Sequence, residues 1–122
     1  MDTTDDFQTV FVDLKRILQR HEPSMIVISD SDNEYYLNTK HVLKNKKPLF
    51  FGSVSIRKSY VSFHLMPLYN YPDLLLDISP GLEARMQGKS CFNFRAGDPE
   101  LLEELDALTT AGCERYRQNN QI

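Results

Sequence analysis

The stretch from Pro48 to Met66 constrains this chain most, because two strand-like runs flank a short polar break at Lys58-Ser59. With those two residues as a hairpin turn, Arg57 faces Tyr60, Ser55 faces Ser62, Ser53 faces His64 and Phe51 faces Met66. Side chains alternate between the two faces of a strand, so this register sorts one face as mixed polar. The other carries Phe50, Gly52, Val54 and Ile56 beside Val61, Phe63 and Leu65. An apolar sheet face of this kind must be covered.

Two amphipathic segments can supply the cover. From Asp5 to about Arg20, Phe7, Val10, Phe11, Leu14, Ile17 and Leu18 recur at helical spacing. Thr4 or Asp5 can cap the first turn and Pro23 forbids continuation. Near the other end, Asp98 caps and Pro99 opens a helix with Leu101, Leu102, Leu105 and Leu108 on one stripe, which Gly112 should weaken or end. The tail beyond Tyr116 is expected to fray.

The remaining segments read as sheet and short connections. Met25–Ser29 and Tyr35–Thr39 flank the polar cluster Asp30-Ser31-Asp32-Asn33 and predict a hairpin, and residues 40–48 predict a surface loop. Short helices are expected over Asp73–Asp77 and Pro80–Met86, the second capped by Ser79 and stopped by Gly88. Ser90–Arg95 alternates as a fifth strand, with Ser90, Phe92 and Phe94 on its core face. The expected fold class is α+β: a mainly antiparallel sheet of about five strands, covered by an N-terminal and a C-terminal helix, with short helices between strands 4 and 5. No linker or repeat divides the 122 residues, so one domain spanning 1–122 is expected.

Charge and composition narrow the function. Fourteen basic against 17 acidic residues leave a net charge of −3, which provides no broad basic field for nucleic acid. No apolar run approaches the ~20 residues of a membrane span. The acidic start, with Asp2, Asp5 and Asp6, is unlike a secretion signal, and Cys91 and Cys113 are the only cysteines. A cytoplasmic protein with reduced thiols, either monomeric or homodimeric, is expected.

Most familiar motifs fail on spacing. Gly88-Lys89-Ser90 ends like a phosphate-binding loop, but Glu83 replaces the first glycine and an aromatic strand follows. Asp30, Asp32 and Glu34 start like a calcium loop, yet Tyr35 stands at its glycine position and His41 at its last carboxylate. His21, His41 and His64 lack zinc-site spacing, so no metal ligands are assigned, and no motif identifies a cofactor. His64 stands out because the hairpin register sets it among Ser53, Tyr60 and Ser62. Cys91 can approach it if the fifth strand lies alongside, and Arg85 and Lys89 flank the end of the second short helix, where they can project toward the same polar face.

The blocks FFGSVSIRKSYVSFHLMPLY, GKSCFNF and LLEELDAL resemble the YdhG-like domains of unknown function over roughly residues 48–110. The shared pattern is a strand pair of the form K-x-x-V-S-x-x-L-M, a G-K-S-C strand entry and a closing helix. The resemblance implies a compact α+β fold, and some relatives carry the labels iron chaperone or frataxin-like. It carries over Tyr60, Ser62, His64, Lys89, Ser90 and Cys91 as motif residues without catalytic roles. EYYLNT stands where the family has a Y-G-M-P segment, so contacts made from that region do not transfer.

The leading expectation is a non-enzymatic binding domain with a polar sheet-face pocket for a small ligand or partner segment. Its candidate residues are Ser53, Tyr60, Ser62, His64, Arg85, Lys89, Ser90 and Cys91, none of them assigned as catalytic. Weak iron binding by surface carboxylates is the alternative, and a Cys/His-dependent enzyme the third reading.

Overall fold

The computed structural model describes residues 3–122, with side chains from residue 7 onward. The expected caps Thr4 and Asp5 therefore lie outside the described side chains. Helix α1 (Thr3–Gln19) leads through a short 3-10 turn (Glu22–Ser24) into strands β1 (Met25–Asp30) and β2 (Glu34–Val42). Strands β3 (Pro48–Ile56) and β4 (Val61–Leu65) form the central hairpin. Helix α2 (Met66–Asn70), a 3-10 turn (Pro72–Leu75) and helix α3 (Pro80–Glu83) precede strands β5 (Met86–Gln87) and β6 (Cys91–Phe94), and α4 (Pro99–Gln118) closes the described chain. The six strands form one antiparallel sheet in the order β1-β2-β3-β4-β6-β5. The fold is α+β, with one more strand than the sequence predicts.

The central hairpin adopts the predicted register. Ser53 pairs with His64, Ser55 with Ser62 and Ile56 with Val61, and the Arg57 N–H donates to the Tyr60 carbonyl at 2.8 Å. Its faces differ in one place. Leu37 pairs with Gly52 and the next β2 residue, Asn38, pairs with Phe50, so Phe51 is an extra residue in β3. Such a bulge shifts the alternation by one. Phe51 joins the core at 0% exposure, whereas Phe50, expected on the apolar face, turns to the opposite one and is partly buried. Met66, expected opposite Phe51, leaves the sheet to start α2, with Pro67 in its first turn, where a missing N–H costs nothing.

Both long helices pack on the Val54, Val61 and Phe63 side. From α1 come Phe11, Leu14 and Leu18, and from α4 Leu105, Leu108 and Tyr116, all buried in one cluster. Gly112 does not end α4. A Cβ there would stand 2.9 Å from Pro67 Cβ, so glycine is what lets α4 lie directly against α2. The segment after Tyr116 is held, with Gln121 N–H on the Tyr116 carbonyl and Tyr71 hydroxyl on Gln121 Oε1.

Gly88 also has a different role from the expected helix stop. Its φ of +76° is a left-handed conformation that glycine adopts freely, and it turns the chain between β5 and β6. Met86 thereby pairs with Phe92 and Gln87 with Cys91, which draws residues 84–86 out of the predicted helix. The loop expected over 40–48 is shorter: β2 continues to Val42, and the turn closes through Leu43 N–H to the Lys47 carbonyl at 2.8 Å. At the outer edge, β1 exposes Ile26, Val27 and Ile28.

Candidate functional site

With the helices gathered on one face, the opposite face of the sheet has no helical cover among the described residues. Its residues Tyr36, Phe50, Ser53, Ser62, His64 and Cys91 are all partly buried, while Tyr35, Leu37, Val54, Val61, Phe63, Phe92 and Phe94 on the helix-facing side are fully buried. Pairing arranges this face in rows that run across the strands. One row reads Tyr36, Ser53, His64, Cys91, Gln87, and the next reads Glu34, Ser55, Ser62, Asn93. Neighbouring strands stand about 4.8 Å apart, so each row is a line of side chains in lateral contact range.

His64 lies at the junction of two chemistries. Phe50, brought to this face by the bulge, stacks on Tyr36 with ring centroids 4.6 Å apart and meets the His64 ring edge-on at 4.9 Å. On its other side, His64 is paired directly with Cys91. Beyond them a shallow cavity of about 350 Å³ is bordered by His64, Met66, Tyr69, Lys89, Ser90 and Cys91. Lys89 Nζ lies 5.8 Å from the centre of the Tyr69 ring, which gives the rim a cation over an exposed aromatic.

Burial lowers the His64 pKa, and burial raises that of the Cys91 thiol, opposed by the charge of Arg57. Both shifts favour the neutral forms. The pair is therefore an imidazole beside a thiol near neutral pH, suited to hydrogen bonding with a ligand and poorly suited to thiolate attack.

The predicted site residues divide into three places. Ser53, His64 and Cys91 share one row, with Ser62 in the next. Lys89 and Ser90 form the corner of the cavity, but Ser90 is almost wholly buried, and its carbonyl accepts the Leu65 N–H at 2.9 Å. Tyr60 and Arg85 lie at the far end of the face and border a separate recess. Tyr60 is four residues from His64, about 13 Å along a strand. Tyr36, Phe50 and Tyr69 were not among the predicted residues. Gly52 was the available signal for Phe50, since an isolated glycine inside a strand pattern often marks a bulge.

The carboxylates of α4 have internal tasks. Asp98 accepts the Leu101 N–H at its cap, Glu104 accepts from the Ser79 N–H and hydroxyl at 2.7 and 2.6 Å, and Asp106 pairs with Arg20. Among the described residues no group of three or more His, Cys, Asp or Glu side chains is placed to hold a metal ion. No helix among them is long and apolar enough to cross a membrane. No protein-family model, curated protein or solved structure matches the chain.

Proposed function

We propose that this chain is a YdhG-like, non-enzymatic cytoplasmic binding domain, and that the uncovered sheet face beside the His64–Lys89 corner receives a small ligand. The observation that carries this reading is the Tyr36–Phe50–His64 ring series leading into the adjoining cavity. Flat apolar rings next to a few convergent polar groups are what small-molecule sites commonly provide. His64 and Cys91 supply hydrogen-bonding groups, and Lys89 supplies one positive charge at the rim. A ligand with a planar ring and a polar or anionic substituent matches that combination.

Titrating isotope-labelled protein with indole, quinoline and benzoate tests the reading by amide chemical shifts. Saturable shifts should concentrate at His64 and residues 89–93 for at least one of the three and vanish in His64→Ala and Phe50→Ala variants that still unfold cooperatively. Shifts confined to other surfaces, or none at all, would overturn it.

A further inference from the structure

The opposite end of the same face has a distinct chemistry. Arg57 and Tyr60 are joined across the β3–β4 turn by a backbone hydrogen bond of 2.8 Å, and the pairing of Val61 with Phe94 sets Tyr60 beside Arg95. On the far side of β6, the Asn93 N–H donates to the Arg85 carbonyl at 2.8 Å, which fixes Arg85 opposite Asn93. Tyr60, Arg85, Asn93 and Arg95 line one recess, and Arg57 stands at the turn beside Tyr60. Arg57 and Arg95 are two strands apart, about 10 Å, and Arg85 is a diagonal neighbour of Arg95 at about 7–8 Å. A recess of about 400 Å³ opens among Tyr60, Arg85, Asn93 and Arg95.

Two arginines thus line one recess, with a third farther out, on a chain whose net charge is −3. None of the three is in an ion pair among the described residues. Acidic residues also lie near them, though none forms an ion pair with them among the described residues. Glu34, on β2 opposite Ser55, is a diagonal neighbour of Arg57 and lies three strands from β6, and Asp98 and Glu100 share a neighbouring hollow with Arg85, Asp98 accepting the Leu101 N–H at the start of α4. Arginine's planar fork is the side chain best matched to two oxygens of one anion, and Tyr60 and Asn93, which line the same recess, carry neutral donors.

We infer that the Tyr60–Arg85–Asn93–Arg95 recess is an oxyanion-binding site, taking the phosphate or carboxylate group of a small molecule, with Arg57 as an outlying third cation. It shares the uncovered face with the ligand site proposed above but needs neither the His64 cavity nor a planar ring. The two readings can therefore fail separately.

Side-chain NMR of the arginine Nε–Hε and Asn93 amide groups tests the site, with inorganic pyrophosphate for the phosphate source, citrate for the carboxylate source, and sodium chloride at matched ionic strength as the reference. At least one of the two anions should give saturable shifts at Arg85, Arg95 and Asn93. The variants Arg85→Gln and Arg95→Gln should each weaken that binding tenfold or more, and Arg85→Lys, which keeps the charge but loses the fork, should weaken it severalfold. Lys44→Gln, which removes one exposed positive charge on the distant β2–β3 turn, should leave it unchanged. Shifts reproduced by sodium chloride, no shifts with either anion, or equal weakening by Lys44→Gln and Arg85→Gln would overturn the site.

Discussion

Replacing Gly112 with alanine sets two opposing effects against each other. At an open helical position alanine is favoured over glycine by about 1 kcal/mol, because it restricts the unfolded chain and adds no bulk that matters. Here the new Cβ would stand 2.9 Å from Pro67 Cβ and 3.2 Å from its Cγ, with Leu65 Cδ2 at 3.9 Å. Carbon atoms pack at about 3.5–4.0 Å, so α4 and α2 must separate by roughly 0.5–1 Å. Overpacking of this kind costs about 1–3 kcal/mol, which exceeds the helix gain and leaves a net loss near 1 kcal/mol. In a domain of this size that lowers Tm by about 4 °C. Urea and thermal unfolding followed by far-UV circular dichroism measure it, and Pro67→Ala in the same background, which removes the Cγ contact at 3.2 Å but keeps the Cβ at 2.9 Å, should recover only part of the overpacking penalty. The strain also has a route to the candidate site, because Tyr116 on α4 donates from its hydroxyl to the Phe50 carbonyl at 3.4 Å. A Gly112→Ala protein more stable than the parent by about 1 kcal/mol would refute the close α4–α2 contact.

The bulge in β3 makes Phe51→Ala the damaging change of an adjacent pair, at about 3–5 kcal/mol, with Phe50→Ala costing less than half of that; the reverse order in urea unfolding would contradict the assigned faces. Tyr35 is fully buried and donates to Glu22 at 2.6 Å, so Tyr35→Phe should lose about 1–2 kcal/mol in the same assay, and an unchanged midpoint would show that this bond adds nothing. Burial holds the folded pKa of both His21 and His64 below the ordinary 6.5, so on acidification the unfolded chain takes up protons first. Urea midpoints should therefore fall as pH drops through about 6.5 toward the folded values, less steeply in His64→Gln, whereas a midpoint that rises over that interval would refute the assignment. At the other extreme, Cys91 and Cys113 are raised above 9.0 by burial, so stability should also fall above about pH 9, and iodoacetamide should alkylate Cys91 more slowly than a free thiol at pH 8.

What could be read from the residues alone was local. The two-residue break at Lys58-Ser59 sets the β3–β4 register, and that register brings Ser53, Ser62 and His64 to one face. The Phe50 and Phe51 positions were illegible because a bulge leaves alternation intact on either side and shifts it only where it occurs, with Gly52 as the sole hint. The two-residue β5 is too short to show periodicity, and Gly88 serves equally well as a helix stop or as a left-handed turn until its partner strand is known. Gly112 looked like a helix end because its packing partner, Pro67, is 45 residues away in the chain. The arginine recess depends on β6 aligning with β4 and β5 at once, a long-range pairing that no single segment encodes.

On the proposed reading, the sheet face around His64, opposite the long helices, is the ligand platform. Crystals soaked with indole, quinoline and benzoate test it most directly. Fragment density should lie against the Phe50 and His64 rings and reach toward Lys89. Density collecting only along the exposed Ile26–Ile28 edge of β1 or over the helices, with the His64 face bare, would contradict it.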